Sequence, residues 1–128
     1  ADRYGCASYD GRLRCTAGDT PPTSTPGGPM IRHVVMFRWN DDVTDAQIDA
    51  TIAALTTMPG AIDTIRAYRF GRNLGINPGT FDFSVTADFD DEAGYVTYRD
   101  HPVHQALIAE HMTGKVSERA SIQFRTVE

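Results

Sequence analysis

Between Met30 and Arg125 the apolar positions switch back and forth between the period of a strand and that of a helix, and each switch marks a new element. The run Ile31-Arg32-His33-Val34-Val35-Met36-Phe37-Arg38-Trp39 is apolar on both faces of an extended chain. Ile31, His33, Val35, Phe37 and Trp39 project one way, and Val34 and Met36 the other. A strand dressed on both sides needs two covers, one from the domain's own helices and one from a second sheet. Thr44-Asp45-Ala46-Gln47 then has the spacing of a capping box. It predicts a helix with Ile48, Ile52 and Leu55 on its apolar stripe, ended by Pro59-Gly60.

Ile65 to Arg72 reads as a strand with an irregular alternation, and Gly75 to Gly79 as the turn after it. The cleanest strand follows, with Phe81, Phe83, Val85, Ala87 and Phe89 alternating against Asp82, Ser84, Thr86 and Asp88. Asp90 or Asp91 caps a second helix running towards Tyr98. Pro102 starts a shorter one with Val103, Ala106 and Leu107 inward, and Gly114 terminates it. Ala120, Ile122 and Phe124 alternate with Ser121, Gln123 and Arg125 in a last strand. Strand, helix, strand, strand, helix, strand is the split βαβ order of an α+β, ferredoxin-like fold: a four-stranded antiparallel sheet with helices on one face. The other face, carrying Ile31, His33, Val35 and Phe37 or their opposites, is too apolar for water, which predicts a homodimer closed sheet to sheet.

The 128-residue chain is the length of one domain, and the pattern places that domain at 30–128. Residues 1–29 end in Thr-Pro-Pro-Thr-Ser-Thr-Pro-Gly-Gly-Pro and offer almost nothing to bury, which predicts a flexible leader: a cloning scar or a product of translation from an upstream start, with a regulatory arm as the alternative. A formal charge of −5 with Lys115 the only lysine argues against nucleic acid and anionic membranes as partners. No apolar run approaches the roughly 20 residues of a membrane span. Cys6 and Cys15, both in the leader, read as free thiols of a reducing compartment, and the cytoplasm is the expected location.

Chemistry concentrates in Tyr98-Arg99-Asp100-His101-Pro102-Val103-His104 and in His33. A neutral imidazole takes and returns a proton near pH 7, and a neighbouring tyrosine orients or polarises a carbonyl. Burial of His33 among apolar residues would lower its pKa; the plain alternative is a hydrogen-bonded core histidine. His104 and His111 are seven apart, but no third ligand stands at useful spacing, so no metal and no other cofactor is expected. His101 reads as a helix-start residue, His111 as a histidine at a helix end, and Tyr95 as part of the apolar stripe.

Taken together, the opening strand with its early histidine, Val43-Thr44-Asp45-Ala46-Gln47 and the later Tyr98-x-x-His101-Pro102-x-His104 resemble the stress-responsive dimeric A/B barrel (Dabb) family. The resemblance spans Met30 to near Val127 and implies a homodimer with an apolar pocket between sheet and helices. One plant cyclase of this family closes a linear polyketide by aldol condensation without metal or organic cofactor. Its catalytic histidine and tyrosine fall on His104 and Tyr98, and a pocket histidine on His33, so His104 would be the base, with His33, Val35, Phe37 and Phe83 lining the pocket. Phe83 replaces a further pocket histidine and Thr51 lies near the place of a tyrosine, which implies a different ligand. The resemblance thus implies a small-molecule site for an aromatic or polyketide-like ligand, with cofactor-free cyclisation or isomerisation. The alternatives are a non-catalytic dimeric stress protein and a cofactor-free monooxygenase.

Overall fold

The capping box forms as its spacing requires: Thr44 Oγ1 accepts from the Gln47 amide at 3.2 Å, and Gln47 Oε1 accepts from the Thr44 amide at 2.9 Å. It starts α1 (Asp45–Thr56) after the first strand, β1 (Ile31–Trp39). The computed structural model describes residues 29–127; the leader predicted over 1–29, with Cys6 and Cys15, lies outside the described residues except for Pro29. Pro59 and Gly60 do not simply stop α1, which already ends at Thr56. They sit inside a four-residue helix, α2 (Met58–Ala61), because proline is tolerated in a first turn, where no amide partner is needed. β2 (Ile65–Arg72), β3 (Phe83–Phe89), α3 (Glu92–Asp100), α4 (Pro102–Leu107), a π-helix (Ile108–Met112) and β4 (Val116–Arg125) complete the chain.

The strands form one sheet in the order β2-β3-β1-β4. β3 runs antiparallel to both β1 and β2, with Val35 opposite Val85 and Phe70 opposite Val85 on its other side. This is the α+β ferredoxin-like arrangement expected from the element order. The irregular alternation of β2 has a local cause: between Ile65 and Ala67 the register slips by one residue against Phe89 and Asp88. Arg66 is the extra residue of a bulge, so the parity shifts and Ile65, Tyr68 and Phe70 come to share a face. β3 begins at Phe83 rather than Phe81. Before it, Asp82 accepts from the Trp39 amide and Phe81 lies under the Arg38 guanidinium, 4.3 Å from ring centroid to carbon.

Helices cover the face that carries Ile31, His33, Val35 and Phe37 of β1 and Phe83, Val85, Ala87 and Phe89 of β3, all buried. Ile48 and Leu55 of α1, Met58, Ile62, Tyr98 and Leu107 close the core over it. Of the three residues expected inward from α4, only Leu107 is buried; Val103 is exposed, and so is Ala106. That helix is only six residues long before the π-turn, so a single position of it reaches the sheet.

The opposite face carries Arg32, Val34 and Met36 of β1, with Ser84, Thr86 and Asp88 of β3. On β4, Gln123 reaches His33 on the helix side, so strand alternation puts Ile122 and Phe124 on the open side. They are 57% and 41% exposed, large apolar side chains that no layer among the described residues covers. Arg32 and Asp88 form a two-pronged ion pair on this face, at 2.7 and 2.9 Å. Beyond residue 124, Thr126 and Met30 exchange hydrogen bonds: the Thr126 amide donates to the Met30 carbonyl, and the Met30 amide to Thr126 Oγ1. Among the described residues no helix is long and apolar enough to cross a membrane.

Candidate functional site

Pro102 builds the site by ending a helix. In an uninterrupted helix the Arg99 carbonyl would accept from the Val103 amide. Here the backbone turns extended at His101, and the Val103 amide donates instead to His101 Nδ1 at 3.1 Å. His101 is thus the cap of α4. The Arg99 carbonyl is left to accept from two side chains, Gln105 Nε2 at 2.6 Å and His104 Nδ1 at 3.1 Å. A carbonyl only accepts, so the proton of neutral His104 sits on Nδ1 and the lone pair on Nε2. The ring also lies against Tyr98, centroids 4.1 Å apart. Proline, histidine and tyrosine at this spacing therefore fix the tautomer and the plane of one imidazole.

His33 reaches the same space from the sheet. It is 4% exposed, with its ring 5.0 Å from that of Tyr95 and 6.1 Å from that of Tyr98. The Gln123 side-chain amide donates to its Nδ1 at 2.8 Å, which leaves the His33 proton on Nε2. Burial, reinforced by the charge of Arg119 and by His104, lowers its pKa from 6.5 to about 4. Burial also lowers His104, outweighing the Arg99 carbonyl, which favours the charged ring. Both imidazoles are neutral at pH 7, one presenting a donor nitrogen and the other a basic one. Tyr98 is 2% exposed and its hydroxyl lies 2.9 Å from that of Tyr68. Desolvation first, and then Tyr68, push the Tyr98 phenol far above its ordinary range, and burial pushes Tyr68 up to about 12. Both phenols act only as neutral hydrogen-bonding groups.

A cavity of about 340 Å³ joins these groups, a volume within the usual range for small-molecule pockets. Its floor is His33, Val35, Phe37, Phe83 and Val85 of the sheet, and its roof includes Thr51, Tyr95, Tyr98, His104 and Leu107. All six residues singled out from sequence, His104, Tyr98, His33, Val35, Phe37 and Phe83, border this one space. Tyr95 borders it too, rather than serving the core alone. Thr51 is buried and donates its hydroxyl to the Gln47 carbonyl, so the wall there offers no free donor. His111 does not line the cavity; it lies in the π-helix, 3.8 Å from Glu110. Among the described residues no three His, Cys, Asp or Glu side chains group as metal ligands would.

Two contributions escaped sequence reasoning. The π-turn, closed by the Thr113 amide donating to the Ile108 carbonyl at 2.9 Å, brings Ile108, Met112 and Thr113 to the cavity. A single inserted residue in a helix leaves no mark in hydrophobic period. Arg119 of β4 also borders the cavity. Its signal was present, since Arg119, Ser121 and Gln123 form the polar set of the last strand, but which face of that strand looks at the helices was not legible.

The family model of the stress responsive A/B barrel domain matches residues 31–126. An uncharacterised protein of Streptomyces coelicolor is 33% identical over 82 residues, covering 62% of this chain and 84% of its own. A stress-response A/B barrel domain-containing protein of Arabidopsis thaliana is 27% identical over 79 residues, covering 58% of this chain and 67% of its own. Among solved structures, a dimeric ferredoxin-like protein of Thermobifida fusca is 42% identical and superposes with a TM-score of 0.72, over 77% of this chain and 92% of the other. The match over three quarters of the length, together with the sheet order and the helix-covered face, assigns the chain: it belongs to the stress responsive A/B barrel domain family.

Proposed function

We propose that this protein works as a homodimer whose cavity binds a small aromatic or polyketide-like ligand, with His104 as general base in a cofactor-free cyclisation or isomerisation. The reading rests on one observation above the others. His104 Nδ1 is committed to the Arg99 carbonyl, so its Nε2 is a neutral, desolvated base in a cavity shared with the Nε2–H of His33. A base beside a donor suits removal of a proton next to a carbonyl: His104 takes the proton while the oxygen is polarised by His33 or by a tyrosine hydroxyl. The resemblance to olivetolic acid cyclase supports the same assignment of His104 and Tyr98. Phe83, where that cyclase has a histidine, makes this cavity more apolar and argues for a different ligand.

Dimerisation is supported by the open sheet face, where half-buried Val34 and Met36 adjoin exposed Ile122 and Phe124 with no covering layer among the described residues, and by the dimeric state described for the Thermobifida protein. The cytoplasm is the proposed location. NMR titration of the two imidazoles, with and without a panel of phenols and polyketide-like diketones, tests the site. A compound that moves the His33 and His104 resonances together supports the reading. If no compound moves either, the non-catalytic dimer is the better account.

A further inference from the structure

The chain carries 17 acidic residues against 12 lysines and arginines, yet among the described residues no aspartate or glutamate borders the cavity. What borders it instead is basic: His33, His104, Arg99 and Arg119. The two histidines are neutral at pH 7 for the reasons given above. The Arg99 guanidinium is engaged by Asp100 through two bonds, at 2.9 and 3.0 Å. Arg119 alone is uncommitted: among the described residues its guanidinium has no hydrogen bond and no ion pair. The nearest carboxylate in sequence, Glu118, points to the other face of the sheet and is held there by Arg38 at 2.8 Å.

We infer that Arg119 is an anion anchor at the cavity mouth, and that the ligand carries a carboxylate which Arg119 holds while its apolar body lies over Val35, Phe37 and Phe83. This inference rests on the small-molecule reading of the cavity and narrows it to organic acids. An arginine fork matches a carboxylate with two parallel N–H donors, which fixes orientation as well as affinity. Gln123 and Arg119 stand four residues apart on one face of β4, about 13 Å along a strand. A ligand anchored at Arg119 therefore needs roughly the length of a substituted ring to bring its other end to His33 and His104. The field of Arg119 reaches both imidazoles and favours their neutral forms, so the anchor also helps keep His104 unprotonated in the free protein.

The test uses two probes of one shape, 4-butylbenzoate and 4-butylbenzamide, titrated at pH 7.5 into the full chain and into its R119Q and R119K variants by calorimetry. Charge-assisted bonds to an arginine make the acid bind about tenfold or more tighter than the amide. In R119Q that preference should fall to within about twofold, with the amide affinity unchanged, and R119K should keep part of it. Salt should weaken the acid and not the amide. Equal binding of both probes by the unaltered chain, or an undiminished preference in R119Q, overturns the anchor and leaves the ligand-binding reading intact. Binding of neither probe at millimolar concentration overturns both.

Discussion

Lowering the pH from 7 to 4 should destabilise this fold through one buried imidazole. His33 titrates near 6.5 in an unfolded chain and near 4 in the folded one. The unfolded state therefore binds a proton that the folded state refuses, and unfolding is favoured wherever the two differ. Stability from this group is fully present above pH 6.5, falls as the pH drops through the window from 6.5 to 4, and levels off below. The gap between the two pKa values corresponds to about 3 kcal/mol at 1.36 kcal/mol for each pH step, and His33 is buried enough that solvent screening removes little of it. Urea unfolding at fixed protein concentration, repeated across pH 7.5 to 3.5, measures the loss. Carboxylates also titrate there, so the decisive quantity is the difference from His33→Gln, which keeps a polar side chain of similar size and does not ionise. The unaltered protein should lose about 3 kcal/mol more than the variant. Parallel stability curves, or an NMR titration placing His33 near 6.5, would refute the claim that desolvation controls this residue.

Other substitutions test the remaining contacts. Tyr98→Phe removes the hydroxyl pair with Tyr68, which leaves a mostly buried phenol unpartnered; the expected cost is about 1 kcal/mol, seen as a fall of several degrees in Tm. His104→Ala should abolish any ligand-dependent turnover while leaving the dimer assembled, since the residue lies at the cavity rather than under the sheet; dissociation seen by light scattering would give it a structural role instead. Phe124→Glu places a charge on the open face and should convert dimer to monomer in size-exclusion chromatography with light scattering; an unchanged mass would mean that the pairing surface lies elsewhere.

How far the sequence carries depends on whether a feature has a period. Strand β3 and the capping box of α1 are periodic or local signals; the box formed where the residues put it, and β3 followed its alternation from Phe83 onward. The noise in β2 was real information: one bulged residue, Arg66, inverts the alternation at the start of the strand, and a reader assuming a fixed parity sees only disorder. The two faces of β1 could not be told apart from sequence, because both are apolar and only the packing of α1 and α3 decides that His33, not Val34, meets the helices. The same ambiguity hid the facing of β4, and with it Arg119.

That hidden parity matters for chemistry as well as for packing. Shifting β4 by one residue against β1 would exchange Gln123 for Ile122 beside His33 and Arg119 for Glu118 at the cavity mouth. The imidazole would lose the amide that sets its tautomer, and a negative charge would stand where a positive one now adds to the burial that keeps both histidines neutral. A carboxylate there would work against burial and favour the charged form of both imidazoles. The polar residues of this edge strand therefore fix one tautomer and reinforce the neutral state that burial imposes, although neither His33 nor His104 belongs to it.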